Sequence, residues 1–335
     1  MIKSGVGIDV SMELFHACFQ KKVNDGTAKI VATRSFKNTG EGFEELLRWT
    51  SKHNREGVDV AFVMEATGVY YENLSHFLYV HKQRVSVVLA NKMKSYFKSL
   101  NIKTKTDKVD SKVIAMYGIE RPVEEWEPMS ECYKELRDLC RELLALKKDV
   151  QRAKNQLHAM EACHHKYNRI LEIKASQIEF YEKAINEIRV EIKALIGKDA
   201  KLSEKLRKTV SIPGIGLETA AILVSETNGF LLFKNIRQLV SYAGMDVSHN
   251  ESGNYKGRSR ISKKGNNRIR QALYMPALSA TRANILIKNL YQRVCEKNPG
   301  SKRKGIVAAM RKLLILVFTI WKKDRAYDKA YVWAS

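Results

Sequence analysis

Four acidic residues lie where a folded chain rarely keeps an isolated charge. Asp9 interrupts a short apolar segment, and Glu65 ends another. A buried charge of this kind is costly unless a cation or a hydrogen-bonding partner compensates it. Asp107 and Asp110 are three residues apart, so a helix that begins near Thr106 would put both on one face, close to its positive end. Three separate elements could therefore bring four carboxylates together.

A carboxylate cluster that contains no cysteine or histidine favours a hard divalent cation, Mg2+ or Mn2+. The chemistry that uses such a cluster is phosphoryl transfer, in which two metal ions about 4 Å apart stabilise the attacking and leaving oxygens. Each acid also has a structural interpretation, as a turn residue or a helix-capping residue. Their joint order, spacing and position at strand ends favour the metal site.

The elements that must position these acids follow from the apolar pattern of the N-terminal region. Strands are predicted at residues 6–10, 16–22, 30–36, 58–64 and 85–89, with one helix after the N-cap Thr39 and another at 71–81. The order β-β-β-α-β-α-β-α is that of the ribonuclease H-like fold, a mixed sheet flanked by helices.

Two long helices are predicted next, because apolar residues recur at alternating steps of three and four from Leu136 to Met160 and from Ile178 to Leu195. These stripes could close as a hairpin within one chain or pair between chains, and a dimer contact is the interpretation that we favour. A mostly helical region then ends in an apolar helix at 306–321. The predicted fold is α/β plus all-α, with domains at 1–125, 126–199 (the coiled coil) and 200–335.

The net charge indicates a polyanionic partner. Lys and Arg number 59 against 36 Asp and Glu, which gives +23 at neutral pH. Between Ser252 and Cys295 the sequence has ten cations and no acid. A second basic cluster surrounds Asp107 and Asp110. Cations concentrated in this way release counterions when they meet a phosphate backbone, so nucleic acid is the expected partner.

Other compositional features exclude several classes of protein. The apolar content of 44% is typical of a chain that folds around a core, so disorder throughout is excluded. The longest apolar run near the C-terminus is far shorter than a membrane span, and Asp9 comes too early for a signal peptide. The five cysteines form no CxxC pair and are expected to be reduced thiols. A cytoplasmic protein without membrane association is the expectation.

Three motifs carry a resemblance to a known family. Residues 7–11 (GIDVS), 65–70 (EATGVY) and 105–110 (KTDKVD) closely resemble the DEDD motifs of the IS110 family of bacterial insertion-sequence transposases, which includes the Piv-type DNA invertases. The resemblance extends over nearly the whole chain. It implies a RuvC-like nuclease domain, a coiled coil and a C-terminal transposase domain, with Asp9, Glu65, Asp107 and Asp110 as the metal-binding tetrad.

The resemblance also singles out a serine. Ser252-Gly253 precedes a basic segment at 260–266 (RISKKGN), as in the family's second signature. Ser252 is thereby implied to be the nucleophile that forms a covalent phosphoserine link to DNA, with the metal site completing a composite centre. Ser248, Ser259 and Ser262 are rivals that spacing alone does not exclude. Two positions depart from the family pattern: Asp246 replaces a proline of many relatives, and Ser111 replaces a common alanine.

The function that follows is a DNA transposase or recombinase. Relatives are guided by a structured bridge RNA, so the resemblance implies DNA and RNA as partners, and strand exchange between sites implies a homodimer or tetramer through the coiled coil. The expected nucleic-acid contacts are Lys103, Lys105, Lys108, Gly214, Gly216, Lys256, Arg258, Arg260, Lys263, Lys264, Arg268 and Arg270.

Three alternatives remain open at this point. A Piv-type invertase would share the motifs and differ in its DNA sites and outcome. A Holliday-junction nuclease would use the acidic tetrad alone and leave no protein–DNA adduct. A nucleic-acid-binding structural protein would use the acids only for its fold, and it would keep its function after substitution of Asp9 by Asn.

Remaining motifs are interpreted more simply. Residues 212–216 (IPGIG) resemble a helix-hairpin-helix turn whose glycine amides contact a phosphate at a helix N-terminus. Cys163, His164 and His165 lack a second ligand pair at zinc spacing and are expected at the polar tip of the helical hairpin. Tyr242 and Tyr255 could stack on bases or pack in the core, whereas Tyr274 has apolar neighbours and is expected in the core.

Overall fold

The N-terminal region folds around a five-stranded sheet. The structure is a computed structural model that describes residues 4–23, 27–54, 57–102, 106–231, 233–248, 251–252, 255–257 and 260–328. Its internal contacts divide the chain into two units, residues 1–128 and 129–335. In the described part of the chain, none of the helices is both long enough and apolar enough to cross a bilayer.

The first unit follows the predicted element order. Its elements are β1 (Ser4–Val10), β2 (Leu14–Lys22), β3 (Ala28–Lys37), α1 (Gly40–His53), β4 (Val60–Glu65), α2 (Glu72–Val80), β5 (Arg84–Val88), α3 (Ala90–Ser99) and α4 (Asp107–Glu120). The strand order is β3-β2-β1-β4-β5. Strands β1, β2 and β3 are antiparallel neighbours, whereas β4 is parallel to both β1 and β5. The ribonuclease H-like prediction is confirmed.

Each face of this sheet buries its own core. Because side chains alternate along a strand, Ile8, Phe15 and Phe62 project to one face, where they pack with residues of α1 and α2. Val63 projects to the other face and packs with residues of α3 and α4, including Ile114. Asp9 follows Ile8 and therefore lies on the face that α4 covers.

The second unit begins with the two predicted long helices. Helices α5 (Glu131–Glu161) and α6 (Asn168–Lys198) run antiparallel, as the contacts of Lys154 with Glu182 and of Lys174 with Gln156 indicate. Their apolar stripes are buried against each other and against the helices that follow. Of the two pairings left open by the sequence, the structure contains the hairpin within one chain. Cys163, His164 and His165 lie exposed at its tip, as predicted.

The remaining helices share one core with this hairpin. They are α7 (Ala200–Val210), α8 (Leu217–Glu226), α9 (Ile236–Tyr242), α10 (Asn267–Ala283), α11 (Ile285–Glu296) and α12 (Lys302–Lys323). Between α9 and α10 lie four short strands: β6 (Val247–Ser248), β7 (Glu251–Ser252), β8 (Tyr255–Lys256) and β9 (Arg260–Ile261). Strand β6 pairs with β9, and β7 pairs with β8.

Gly7 lets α4 approach the sheet more closely than any side chain would allow. A Cβ atom at Gly7 would lie 2.1 Å from the backbone nitrogen of Ala115 and 2.3 Å from the carbonyl oxygen of Ser111. Both contacts are with helix backbone, which cannot move aside as a flexible side chain can. The first turns of α4 are thereby held against β1, two residues from Asp9.

Substitution of Gly7 by Ala should therefore destabilise the first unit by about 3 kcal/mol, because α4 must shift away from the sheet. Chemical denaturation followed by circular dichroism measures this loss. The matched control is Gly40→Ala, where a Cβ has nothing within 4 Å and the free energy of unfolding should change by less than about 1 kcal/mol. Equal effects in the two variants would contradict the close-packing argument.

Candidate active site and nucleic-acid interface

Two of the predicted acids, Asp9 and Glu65, are neighbours on adjacent strands of the sheet. Ile8 of β1 pairs with Met64 of β4 in parallel register, so the next residues, Asp9 and Glu65, lie on the same face of adjacent strands. Neighbouring strands are about 4.8 Å apart. Both residues are partly buried. Backbone pairing of the two strands therefore fixes the relative position of these two residues.

The other two acids reach the same edge from α4. Thr106 caps this helix, since its hydroxyl oxygen accepts a hydrogen bond from the backbone nitrogen of Val109 at 3.3 Å. Asp107 and Asp110 consequently occupy the first turn, as predicted. A side-chain amide of Gln20 on β2 donates to the carbonyl oxygen of Lys112 at 2.9 Å and fixes the helix over the sheet.

His16 belongs to this edge and was missed by the sequence analysis. It is the antiparallel partner of Asp9 in β2, and its Nδ1 lies 3.7 Å from Oδ2 of Asp107. The contact joins the first turn of α4 to the strand beside Asp9. The alternation of His16 with the buried Phe15 and Ala17 could have placed it on the same face as Asp9, but only the strand pairing reveals its partner.

Strand pairing thus places Asp9 beside Glu65, and the contact with His16 places Asp107 near Asp9. Among the residues that the structure describes, no three His, Cys, Asp or Glu side chains are grouped closely enough to hold a metal ion. Metal binding by this tetrad stays a prediction. Of the cations predicted beside it, Lys108 is exposed, whereas Lys103 and Lys105 lie outside the described residues.

Ser252 lies in a β-hairpin of the second unit. It pairs with Tyr255, it is exposed, and the hairpin lies between β6 and β9. Among its rivals, Ser248 is also exposed, and Ser262 donates a 2.6 Å hydrogen bond to a carboxylate oxygen of Asp246. Ser259 lies outside the described residues.

Backbone hydrogen bonds join the two ends of the segment that carries Ser252. The backbone nitrogen of Ser262 donates to the carbonyl oxygen of Asp246, and that of Lys263 donates to Gly244. Asp246 thus bonds Ser262 through both its carbonyl oxygen and its side chain. Gly244 has a φ of +62°, and its Cβ would lie 2.8 Å from the guanidinium of Arg270. A larger residue at this position would be strained in its backbone and would crowd Arg270.

The predicted nucleic-acid contacts around this segment divide into two groups. Arg260, Lys263 and Lys264 are exposed cations. In contrast, the guanidinium of Arg270 donates to the carbonyl oxygens of Ala243, Gly265 and Asn266 and is therefore engaged within the protein. For Lys256 the structure gives only the backbone, as part of β8, and Arg258 is outside the described residues.

A buried carboxylate lies beneath the same segment. The side chain of Glu226, at the end of α8, is 1% exposed. It accepts hydrogen bonds from Arg141 of α5 at 2.7 and 3.1 Å and from the side-chain amide of Asn266 at 2.7 Å. The Nε of Arg268 lies 3.9 Å away. Burial opposes ionisation of Glu226, but the hydrogen bonds and charge of Arg141, together with Asn266 and Arg268, outweigh it, and the pKa of this carboxyl lies below its usual value.

The helix-hairpin-helix-like turn at 212–216 contains two glycines with different surroundings: Gly214 is closely packed, and Gly216 faces open space. Gly214 has a φ of +101°, and its Cβ would lie 2.6 Å from the Cβ of Ala280. Gly216 is the N-cap of α8 and has nothing within 4 Å. Glu218, in the first turn, accepts hydrogen bonds from Lys147 and from Arg189. The negative charge of Glu218 is therefore compensated by Lys147 and Arg189, so it would repel a phosphate at this helix end less strongly.

The tyrosines follow the predictions only in part. Tyr242 is partly buried, and its hydroxyl donates to the carbonyl oxygen of Glu226 at 3.1 Å. The prediction that Tyr274 packs in the core is wrong: it is 47% exposed. Its neighbour Leu273 takes the buried face of α10, and Tyr274 consequently projects to solvent beside the exposed Met275. The side chain of Tyr255 is not described.

Comparisons with known proteins agree on one family. Two family models match the chain, one described as a DEDD-type transposase over residues 6–160 and one as "Transposase IS116/IS110/IS902 family" over residues 207–292. The pilin gene-inverting protein of Moraxella bovis is 29% identical over 330 residues, which cover 98% of this chain and 99% of that protein. The transposase for insertion sequence element IS1111A of Coxiella burnetii is 27% identical over 162 residues, 48% of this chain and 43% of that protein.

Among solved structures, the RuvC protein of Thermus thermophilus in complex with a Holliday junction substrate covers 37% of this chain and 99% of its own length. The sequence identity is 9% and the TM-score is 0.28.

Two ion-paired acids of the second unit, Glu226 and the half-buried Glu218, should make its stability depend on pH. Hydrogen bonds from Lys147 and Arg189 outweigh burial and lower the pKa of Glu218, as Arg141 does for Glu226. A carboxyl with a depressed folded-state pKa stabilises the fold above its unfolded pKa of about 4.3, and this contribution is lost as the pH falls through the folded pKa. The melting temperature should therefore fall steeply below about pH 4.

In Glu218→Gln, the side chain is neutral at every pH. The variant should melt at a lower temperature than the wild type at pH 7, and the difference between pH 7 and pH 3 should shrink. Differential scanning calorimetry across this range measures both quantities. Parallel pH curves for the two proteins would contradict a role for Glu218 ionisation.

Proposed function

The chain belongs to the IS116/IS110/IS902 family of transposases, and on that premise we propose that it cuts and rejoins DNA strands with a carboxylate-bound divalent cation and a serine nucleophile. What supports this proposal is the position of three of the acids on one face of a ribonuclease H-like sheet. Asp9 and Glu65 lie at the C-terminal ends of adjacent parallel strands, and His16, the strand partner of Asp9, lies 3.7 Å from Asp107.

The donor set suits Mg2+ or Mn2+, because carboxylate oxygens are the ligands that these ions prefer. Asp9, Glu65, Asp107 and Asp110 would hold the ion. When bound, such a cation supplies electrostatic stabilisation to the attacking and leaving oxygens of a phosphodiester. The chain's own contribution is rigidity: two acids are fixed by strand pairing, and two lie in a capped helical turn above them.

Ser252 is the proposed nucleophile in this reaction. Its hydroxyl oxygen would attack phosphorus and lose its proton, while the bond from phosphorus to one sugar oxygen breaks and that oxygen takes up a proton. A strand hydroxyl would later attack the phosphoserine and release the serine. One phosphoester bond forms for each that breaks, so the exchange needs no external energy source. The exposure of Ser252 and the engagement of Ser262 with Asp246 support this choice.

The proposed substrate is DNA, bound together with a structured guide RNA. The exposed cations Arg260, Lys263 and Lys264 lie beside the Ser252 hairpin, and the net charge of +23 favours contact with phosphate backbones. Exposed Tyr274 and Met275 offer surfaces on which unpaired bases could stack.

Self-association through the helical hairpin is part of this proposal, as a dimer or tetramer. The buried stripes of α5 and α6 are already used within one chain. A second set of large apolar side chains on α6 is exposed, namely Ile170, Ile173, Phe180 and Val190, with Tyr167 just before the helix. Exposed apolar residues concentrated on one element are typical of an interaction surface.

Site-specific DNA inversion is the second candidate function. The relative that spans 98% of this chain is a pilin gene-inverting protein, whereas the insertion-sequence transposase spans 48%. The DNA that flanks the gene discriminates the two. Terminal element ends would indicate transposition, and an invertible cassette would indicate inversion.

Substitution of the acids should remove metal-dependent strand cleavage. Asp9→Asn and Glu65→Gln keep the side-chain shape but lose the charge, and each should lower the cleavage rate in Mg2+ on the order of 100-fold or more. Mn2+ binding, measured by calorimetry, should weaken in parallel. The control is Glu44→Gln, an exposed acid of α1, which should behave as the wild type. Unaltered cleavage in both acid variants would count against the metal site.

Substitution of Ser252 by Ala should abolish the covalent protein–DNA adduct, because the attacking oxygen is gone, while affinity for DNA and RNA changes little. The measurement is incubation with a cleavable DNA end, Mg2+ and candidate RNA, followed by peptide mapping of the DNA-linked residue. Ser248→Ala is the matched control and should still form the adduct. An adduct that persists in Ser252→Ala would assign the nucleophile elsewhere, and cleavage without any adduct would favour the Holliday-junction type of nuclease.

A further inference from the structure

Glu226 connects three parts of the second unit that are distant in sequence. Its carboxylate accepts two hydrogen bonds from Arg141 of α5 and one from Asn266, which precedes α10. Arg268 lies 3.9 Å from the same carboxylate. The bonds from Arg141 form a two-pronged contact, the geometry in which arginine fixes a carboxylate most firmly. The position of Glu226 is therefore defined from α5.

Asn266 passes this constraint to the chain segment at 243–265. Its side-chain oxygen caps α10 by accepting from the backbone nitrogens of Arg268 and Ile269, while its side-chain amide donates to Glu226. Its backbone nitrogen donates to the carbonyl oxygen of Tyr242 at 2.7 Å. Asn266 thus joins a helix start, the buried acid and the residue at the other end of the segment.

The other end of the segment is tied to the same glutamate. The hydroxyl of Tyr242 donates to the backbone carbonyl oxygen of Glu226 at 3.1 Å. Both residues that flank the segment 243–265, Tyr242 and Asn266, are therefore bonded to Glu226. Ser252 is carried by the strand pairs between them.

A buried ion pair is an inefficient way to gain stability. Removing two charges from water costs about as much as their attraction returns, and apolar residues of similar volume are often equally good or better. What the pair supplies is directional geometry, because a guanidinium and an amide bond a carboxylate only in particular orientations. A network of this kind at the base of a functional segment is suited to setting its orientation.

From this geometry we infer that Glu226 is a positioning residue, which fixes the orientation of the segment 243–265, and with it Ser252, relative to helix α5. The inference rests on the proposed role of Ser252 as the nucleophile. The inference also links the long helical hairpin to the reaction. A displacement of α5 at Arg141 would move Glu226, and Glu226 is bonded to both ends of the segment 243–265.

The test is Asn266→Ser in the full-length chain. Serine retains an oxygen that can cap α10 but has no amide to donate to Glu226, so the cap is kept and the link is lost. Asn235→Ser is the matched control, because Asn235 caps α9 in the same way and is exposed. Arg141→Lys is a second variant, which keeps the charge but cannot form the two-pronged contact.

Two readouts separate positioning from general stability. At saturating DNA, the rate of adduct formation should fall about 10-fold to 100-fold in Asn266→Ser and Arg141→Lys, since small misplacement of a reacting group has effects of that size. The dissociation constant for DNA should stay within about threefold, because no phosphate contact is removed. Hydrogen exchange of the backbone amides at 243–248 and 260–265 should accelerate by about tenfold, while the rest of α5 and α10 is unchanged.

The outcomes are distinguishable from those of the proposed function. An adduct rate equal to that of Asn235→Ser would overturn the inference, whether or not hydrogen exchange accelerates. Unchanged exchange at 243–248 and 260–265 would also overturn it. If the wild-type chain forms no adduct at Ser252, the proposed function fails, and the exchange measurement alone then decides whether Glu226 orients the segment.

Discussion

The contact between α4 and Gly7 is the constraint on which the candidate active site depends. A helix normally packs on a sheet through side chains on both surfaces, at a distance set by their size. Here the sheet contributes no side chain, and the helix backbone at Ser111 and Ala115 approaches β1 directly. Ser111 is buried, and its hydroxyl donates to the carbonyl oxygen of Lys108 in its own helix. Gly7 and the residues of α4 that it contacts are small, so the first turn of α4, which carries Asp107 and Asp110, lies close to β1.

The sheet supplies the complementary half of this site through topology. Parallel pairing of β1 and β4 makes two chain segments that are more than 50 residues apart in sequence end at the same edge. Antiparallel pairing of β1 and β2 adds His16 directly across from Asp9. Carboxylates held close together would repel one another unless a cation compensated their charge. On the same face, the Nδ1 of His16 lies 3.7 Å from a carboxylate oxygen of Asp107.

In the second unit, a buried acid and a half-buried acid both have cationic partners. Glu226 and Glu218 are each compensated by cations from the long hairpin, Arg141 in one case and Lys147 with Arg189 in the other. Both acids belong to α8, so the hairpin and the helical region are joined by directional ionic contacts as well as by an apolar core. On the segment that carries Ser252, Arg260, Lys263 and Lys264 are exposed to solvent.

The sequence by itself determined the local structure and the family. Period-two and period-3.6 patterns fix strands and helices because they report which side chains can be buried on one face, and Thr106 marks the start of α4 through its capping hydroxyl. The motifs around Asp9, Glu65 and Asp107 are specific enough to identify the family without coordinates. Tertiary structure alone decided which partners the side chains take. Four features depend on contacts between residues that are distant in sequence: the pairing of His16 with Asp107, the packing of α5 on α6, the exposure of Tyr274 and the hydrogen bonds of Arg270 to backbone carbonyls. A one-dimensional pattern of hydrophobicity and charge does not contain the distances between such residues.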